Sequence, residues 1–534
     1  MDEDRVAKTF VGRAIFITGG SGFLGKVFIE KLLRVCPEIR KIFLLLRTKK
    51  GKDPKQRLLD IFNNPLFDGL KESRGLESLM QQCQVIGGDV TLPDLGISPE
   101  DRKILTKEVS IIYHCAATIR FDETLKKAVL LNTRGTKLMI QLARECQQLS
   151  MLCHVSTAYC HLHEKHLLEK PYAPPANPHK IINVVEWLDE SVVDAMTDKI
   201  LGSLPNTYAF TKALGEGLVV ETMDDLPSVI LRPSIVIPIY QDPLPGWTDN
   251  INGPTGLLIG AGKGVIRTMY CDSDGYGDYL PVDIAVNCML LATWNFIEND
   301  DRSRRIYNVT SSAEIKVSWN QVIEMGREIV TTKIPLNGVM WYPGGSMKNN
   351  RLYHNFCMIF YHFLPAIVLD ALLFCLGYKP VLIRVHKRIL KGFQVFEYYA
   401  NNQWDFDNSN VQYLRTVINR KEKDLYKIDA DDLDMMAYFE NCIKAARKYI
   451  LNEAEETLPA ARRHMRITTG NHVTGNCQCG ARKRQVCEQK SSPSISCFAA
   501  FRQVIAGVSA KRHLRCHQWW PRVCCGVKNR GKSE

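Results

Sequence analysis

Tyr208 and Lys212 stand four residues apart in NTYAFTK (206–212), with the helix formers Ala213, Leu214 and Glu216 behind them. On a helix this spacing puts both side chains on one face, one turn apart. A free phenol has a pKa of about 10 and is a poor acid-base group at neutral pH. A cation held beside it favours the phenolate and lowers that value. The pair is a candidate proton donor. A Tyr-x-x-x-Lys match alone is weak, so its weight depends on its companions.

The first companion is ITGGSGFLG (17–25), which follows an apolar run and opens a helical pattern. Gly19, Gly22 and Gly25 give a Gly-x-x-Gly-x-x-Gly spacing. In a strand-turn-helix context such glycines allow the tight turn, the approach of a pyrophosphate and close helix packing, and the helix N-terminus offers amide donors. Thr18, Phe23 and Leu24 belong to the same candidate cofactor turn. The next run ends in LLLR, where an acid would bind the ribose hydroxyls of NAD and an Arg would accommodate the 2′-phosphate of NADP. FLLLRTKK holds Arg47 and no acid, so the expected cofactor is NADPH.

Later run ends add polar or small residues. Asp89 and Val90 end GGDV, where the Asp is placed to accept from an adenine amino group. Ala116 and Ala117 in HCAAT would let a ribose lie close. Ser156 or Thr157 in HVST would hydrogen-bond a substrate carbonyl. Asn132 is a candidate for cofactor contact or a proton relay.

The elements that must position these residues alternate. AIFIT (14–18), KIFLLLR (41–47), QVIGGDV (84–90), SIIYHCA (110–116), MLCHVST (151–157) and SVILRP (228–233) read as strands buried on both faces. Helical patterns lie between them, for example at 23–36 and 135–146, and 48–83 reads as a helical insertion. The repetition predicts an α/β fold with a doubly wound, Rossmann-type parallel sheet, and puts every candidate above at one sheet edge. Residues 240–340 are rich in Gly and Pro and read as an irregular substrate-binding extension; 380–451 turn helical again.

The chain has 534 residues and a formal net charge of +12. Residues 467–534 hold 12 Lys or Arg against two acids, so the main body is close to neutral and gives no case for nucleic acid. Seven of the 18 cysteines lie in the same tail, and the others are scattered, several inside apolar runs. That pattern suits a reduced, intracellular protein. The N-terminal MDEDRVAKTF lacks the apolar core of a signal peptide. In the tail, Cys477, Cys479, Cys487 and His472 match no common zinc spacing, and no metal is expected. The most apolar segment, 356–377, is just long enough to span a bilayer. It also carries Asp370, and a mid-membrane Asp costs roughly 2.5–3.5 kcal/mol. Spanning, an interfacial helical hairpin and buried core helices all stay open.

In order, TGGSGFLG, GDV, STAY, YAFTK and LRPSIV resemble the extended short-chain dehydrogenase/reductases. ITGGSGFLGKVFIEKLLR, NTRGT, HVSTAY, LPNTYAFTKALGE, RPSIV and YLPVDIAVN look like the fatty acyl-CoA reductase branch, and HFLPAIVLDALLFCLG and ETLPAARRHM resemble the two ends of its C-terminal helical domain. The resemblance covers about residues 10–466. It implies an NADPH-binding reductase domain over 10–340, with its substrate part from about 235, a helical domain over 355–452, and an atypical tail over 467–534, expected to be disordered. That tail, basic and Cys-rich, stands where family members usually continue into a second apolar stretch.

The implied activity is reduction of long-chain acyl-CoA to a primary alcohol through an aldehyde, with Tyr208, Lys212, Thr157 and Ser156 catalytic and with Pro233 and Ile235 of RPSIV added to the cofactor contacts. Implied partners are the acyl-CoA and an intracellular membrane surface, of endoplasmic reticulum or peroxisome, with the active site facing the cytosol; a homodimer is an open option. A sugar-nucleotide or hydroxysteroid enzyme of the same superfamily, or a non-catalytic NADP-binding protein, would be the alternatives. Lys263 and Arg267 in AGKGVIR are further candidates for CoA phosphates.

Overall fold

The apolar runs become the strands of one parallel sheet. A computed structural model of the chain describes residues 3–478 apart from 50, 252, 312 and 313, with side chains described as far as residue 470. The strands are β1 Ala14–Thr18, β2 Lys41–Leu46, β3 Cys83–Gly87, β4 Ile111–His114, β5 Met151–Val155, β6 Ser228–Pro233 and β7 Ile306–Val309. Their spatial order is β7-β6-β5-β4-β1-β2-β3, every neighbour parallel. Strands β1, β4, β5 and β6 are buried along their whole length, as expected of strands covered on both faces. The direction of winding reverses between β1 and β4, which pair from Ile15↔Ile111 to Thr18↔His114. In a doubly wound sheet, ligands bind beyond the strand ends at this switch point.

Four helices matter for the site: α1 Phe23–Val35, α2 Gly135–Glu145, α3 Thr207–Val220 and α4 Val282–Glu298. The insertion after β2 is helical, as its sequence predicts, with helices Pro54–Phe62, Asp68–Arg74 and Leu76–Gln82. The stretch expected to be irregular differs in part: it contains α4 and β7. Every residue of α4 from Val282 to Phe296 is buried. A helix buried all round shows no single amphipathic stripe, which is why its period is silent in the sequence.

Two units are distinguished. The first comprises residues 1–247, 274–318 and 394–434 and contains the sheet; the second comprises 248–273, 319–393 and 435 onward. Within the second unit, helix Arg351–Met358, a π-helical stretch Ile359–Phe363 and helix Leu364–Cys375 run on as one rod. Among the described residues this is the one helix long and apolar enough to cross a membrane. At the other end, residues 467–478 continue the helix Leu458–Gln478. The rest of the basic tail lies outside the described residues, and with it Cys479 and Cys487; the side chains of His472 and Cys477 are likewise not described.

Candidate active site

The glycine turn closes against the end of β4. A Cβ at Gly19, whose φ is +76°, would sit 2.7 Å from the Cys115 carbonyl carbon and 2.8 Å from the Ala116 nitrogen. A Cβ at Gly25 would meet the Gly19 carbonyl oxygen and lie 2.8 Å from the Gly20 Cα. Gly22 is exposed and caps α1 without a side-chain hydrogen bond, so no cap side chain dresses the first amides of that helix. Orphan amides at a helix N-terminus favour an anion. Phe23 and Leu24 are partly exposed there, and the Phe23 ring centroid lies 5.8 Å from that of Trp247.

A hydrogen-bonded chain fixes the switch point. The Ala116 amide donates to Thr18 Oγ1 (3.1 Å), so the Thr18 hydroxyl is free to donate to His114 Nδ1 (2.8 Å). Burial pushes His114 down to about 3, so its ring is neutral. His114 Nε2 then donates to Thr136 Oγ1 (3.2 Å), whose hydroxyl donates to the Asn132 carbonyl (2.7 Å). Thr18 is therefore spent inside the protein as a brace. Asn132 lies in a π-helical stretch, Val129–Arg134. Its Oδ1 accepts from the Thr118 amide (2.9 Å), and its Nδ2 donates to Thr211 Oγ1 (2.9 Å) and the Thr118 carbonyl (3.3 Å). With these bonds made, Asn132 clamps the loop carrying Ala116 and Ala117 to α3.

At the end of β2, Arg47 Nη1 donates to Asp89 Oδ2 at 3.1 Å. Asp89 also accepts from the Thr91 amide and hydroxyl (3.0 and 2.9 Å). Burial opposes ionisation of this carboxyl, but the Thr91 and Arg47 bonds outweigh it and hold its pKa below the ordinary value. Val90 beside it is buried. A second cation is present that the sequence reading missed. Arg57, from the helical insertion, donates to the Arg47 carbonyl (2.7 Å) and to Ser21 Oγ of the glycine turn (2.8 Å). Burial first, and then repulsion from Arg47, lowers its pKa. Two guanidiniums that repel each other beside undressed amides make a place for a phosphate. The only signal was a basic residue ten positions after Arg47 in an insertion read merely as helical.

Tyr208 and Lys212 both lie on α3, which Asn206 caps by accepting from the Ala209 amide (2.9 Å). Thr157 lies close enough to the Tyr208 phenol to act on its pKa, while its Oγ1 donates to the Pro233 carbonyl (3.4 Å) and accepts from the Tyr159 amide (3.2 Å). Ser156 is turned elsewhere, with its hydroxyl 3.8 Å from Cys160 Sγ. The Lys212 ammonium is held by a backbone carbonyl. It donates to the Val155 carbonyl at 2.6 Å, at the end of β5, and is only 4% exposed. Burial pushes Lys212 down to about 8 and Tyr208 up to about 12. Tyr208 thus keeps its proton at neutral pH. Pro233, buried, and Ile235, partly exposed, follow at the end of β6.

Two groups of residues complete the site without having been read from the sequence. Phe121 packs edge-on against Tyr208 (5.3 Å between centroids) and lies 5.4 Å from Tyr399. Tyr159 and Trp404 join Tyr399 at 5.8 and 6.0 Å, and Asn206 Nδ2 donates to the Tyr399 hydroxyl (2.9 Å). One turn beyond Lys212, Glu216 is 1% exposed and pairs with Arg232, fully buried, at 2.6 Å and with His161 Nε2 at 3.0 Å. Cys160, His161 and Glu216 lie close enough together to hold a metal ion, but the Arg232 guanidinium already neutralises the carboxylate. Lys263 and Arg267 are engaged inside the second unit: Lys263 with Glu453 and the Asn337 carbonyl, Arg267 with the Tyr342 carbonyl.

Comparison with known proteins places this arrangement. Two family models, both described as male sterility protein and the first an NAD-binding domain, match residues 17–289 and 361–453. Fatty acyl-CoA reductase 1 of Rattus norvegicus is 38% identical over 460 residues, 86% of this chain and 89% of the relative. Fatty acyl-CoA reductase wat of Drosophila melanogaster is 38% identical over 475 residues, 89% and 91% of the two chains. Among solved structures, the reductase domain of a nonribosomal peptide synthetase from Mycobacterium tuberculosis aligns with a TM-score of 0.54 at 16% identity, over 84% of this chain and 96% of that one. The terminal R domain of the myxalamid pathway aligns at 0.53 and 18%, over 82% and 91%. At these identities the two structures speak for the fold alone, a parallel α/β sheet of the kind the sequence predicts.

Proposed function

The chain belongs to the fatty acyl-CoA reductase family, and on that premise we propose that it reduces long-chain fatty acyl-CoA to the primary alcohol and CoA with NADPH, through an aldehyde. The observation that carries the reading is the trio Thr157, Tyr208 and Lys212 gathered beyond the end of β5. The undressed amides of α1 suit a pyrophosphate, and Arg47 with Arg57 suits the extra phosphate of NADPH over NADH. When bound, the nicotinamide supplies hydride, twice per alcohol formed.

The protein's part is positioning and proton transfer. Thr157 and the Tyr208 hydroxyl hold the thioester oxygen, and Tyr208 donates its proton as the carbon becomes tetrahedral. The resulting hemithioacetal returns that proton to the phenolate, re-forms its carbonyl and expels CoA as the thiolate. Tyr208 then protonates the aldehyde oxygen in the second reduction. Lys212, held by Val155, places a positive charge that steadies the phenolate between these steps. The aromatic wall of Phe121, Tyr159, Tyr399 and Trp404 offers apolar surface to the first carbons of the acyl chain. A long acyl chain also favours work at an intracellular membrane surface.

The test uses the full chain with NADPH and medium- to very-long-chain acyl-CoAs, beside Tyr208→Phe. Fatty alcohol, with two NADPH consumed per alcohol from the native chain and none from the variant, is the expected outcome. Folded protein that binds NADPH yet yields neither alcohol nor aldehyde from any chain length would overturn the reading.

A further inference from the structure

The rod Arg351–Cys375 is amphipathic the wrong way round for water. The residues it buries include His354, His362 and Asp370, spaced eight apart. The residues it exposes are large and apolar, among them Leu352, Phe356, Phe360, Leu364, Ile367 and Phe374. The buried polar groups are satisfied: His354 Nδ1 is 3.1 Å from Thr268 Oγ1, and His362 Nε2 accepts from the Arg267 amide at 3.1 Å. An exposed apolar face of this length, backed by polar residues, marks an interaction surface.

The rod then stops and folds back. Gly377 takes a φ of +77°, its amide donates to the Phe374 carbonyl, and the Tyr378 amide donates to the Leu373 carbonyl. These two bonds form a Schellman motif, which ends the helix with its carbonyls satisfied. Asp370 accepts the amides of Val381, Leu382 and Ile383, each at 2.9 Å, and so caps the following helix, Leu382–Ala400. Further along, His362 Nδ1 lies 3.3 Å from His386 Nδ1. The two helices therefore double back on each other as a hairpin whose pairing is fixed at His362 and His386.

That pairing decides how the hairpin meets a bilayer. The second helix exposes Arg384, Lys387, Arg388 and Lys391, spaced i, i+3, i+4 and i+7, hence on one face. His386 is level with His362, near the middle of the apolar rod, so Arg384, Lys387 and Arg388 ride at the same height. Standing upright in a membrane, the hairpin would carry these cations into the hydrocarbon, where charge is strongly disfavoured. Lying flat, it sinks its apolar side chains and leaves the cations among headgroups. From Arg351 to Lys391 the only acid is Asp370, already engaged. The surface is thus matched to negative charge.

We propose that residues 351–391 form an in-plane docking hairpin for an anionic lipid surface, in which the rod is immersed to part of its thickness and does not cross the bilayer. This rests on the reading that the enzyme works at a membrane, and it names the surface and the lipid charge. The experiment is flotation of the full chain with vesicles of phosphatidylcholine alone or with about one-third phosphatidylserine, at about 0.1 M and about 1 M salt. Flotation with the anionic vesicles is expected to fall at least about tenfold with neutral lipid, with high salt, and in the variant Arg384→Gln/Lys387→Gln/Arg388→Gln. Phe356→Ser/Phe360→Ser is expected to weaken binding to both vesicles.

All five substitutions are at exposed positions, and if one variant fails to fold by circular dichroism the other decides. Flotation indifferent to salt and unchanged in the charge variant would mean a spanning insertion and would overturn the proposal. So would an absence of vesicle binding accompanied by a dimer that Phe356→Ser/Phe360→Ser dissolves, since a second copy would then cover the face. Alcohol formation in detergent is read in parallel. Activity without flotation sinks the docking hairpin alone, and flotation without activity sinks the reductase reading alone.

Discussion

Lys212 donates to the Val155 carbonyl at 2.6 Å and so ties the helix carrying Tyr208 to the end of β5. The bond holds the lysine where burial lowers its pKa to about 8, while Tyr208 is raised to about 12. The working forms, a protonated phenol and a charged lysine, coexist below about pH 8. Activity is expected to hold below that value and to fall roughly tenfold per pH unit above it, as Lys212 loses its charge. A pH profile of kcat/KM checks this. In Lys212→Arg, any residual activity should keep its plateau to higher pH, because a guanidinium stays charged there.

Arg57→Ala removes one of the two cations beside the glycine turn and its bond to Ser21. A hydrogen bond to a charged group contributes about 1.5–3 kcal/mol, so KM for NADPH should rise about 10- to 100-fold. KM for NADH should hardly move. Steady-state kinetics with both cofactors read the difference, and an equal change for the two would remove Arg57 from phosphate recognition.

Glu216→Ala leaves Arg232 buried without its carboxylate, and loss of one partner of a buried pair costs about 3–5 kcal/mol. Urea unfolding measures it. The pH dependence has two sides. Glu216 titrates well below its ordinary value because Arg232 and His161 outweigh the burial that opposes its charge. Its contribution is present above about pH 4.3 and is lost as pH falls. Burial disfavours charge on His161, but Cys160 and Glu216 outweigh that and raise it to about 10. Its contribution is present below about pH 6.5 and is lost as pH rises toward about 10. The cluster therefore stabilises most between about pH 5 and 6.5, and His161→Gln should flatten the alkaline side of that profile.

Gly25→Ala would drive a methyl group into the Gly19 carbonyl oxygen. The clash is with backbone, so α1 must shift from the turn. Loss of NADPH binding with the sheet still folded is expected, measured by cofactor fluorescence titration beside circular dichroism.

Much of this was legible in the chain. The strands β1 to β6 announce themselves because continuous apolar runs between turn residues have few other uses. Gly19, Gly25, Tyr208 and Lys212 could be picked out because local spacing alone sets their geometry. Other features depend on pairings across long stretches of chain and leave no local period. Tyr399 and Trp404 reach the site from nearly two hundred residues beyond Tyr208, and Arg57 acts from an insertion whose helices look ordinary. Glu216 was visible one turn after Lys212, but a carboxylate on a helix reads as a solvated one until Arg232 is known to face it. β7, Ile306–Val309, carries Asn308 inside its four residues and so lacks the continuous apolar run that marks the other strands.

The return of residues 394–434 to the sheet-bearing unit carries a consequence for how such chains can be recombined. Because this segment brings Tyr399 and Trp404 beside Tyr159 and Phe121, the C-terminal part is no exchangeable cassette. A chimera joined anywhere between residues 319 and 393 would inherit Tyr208 from one parent and part of the wall around it from the other. Parents that differ in acyl-chain preference would then yield hybrids whose selectivity belongs to neither.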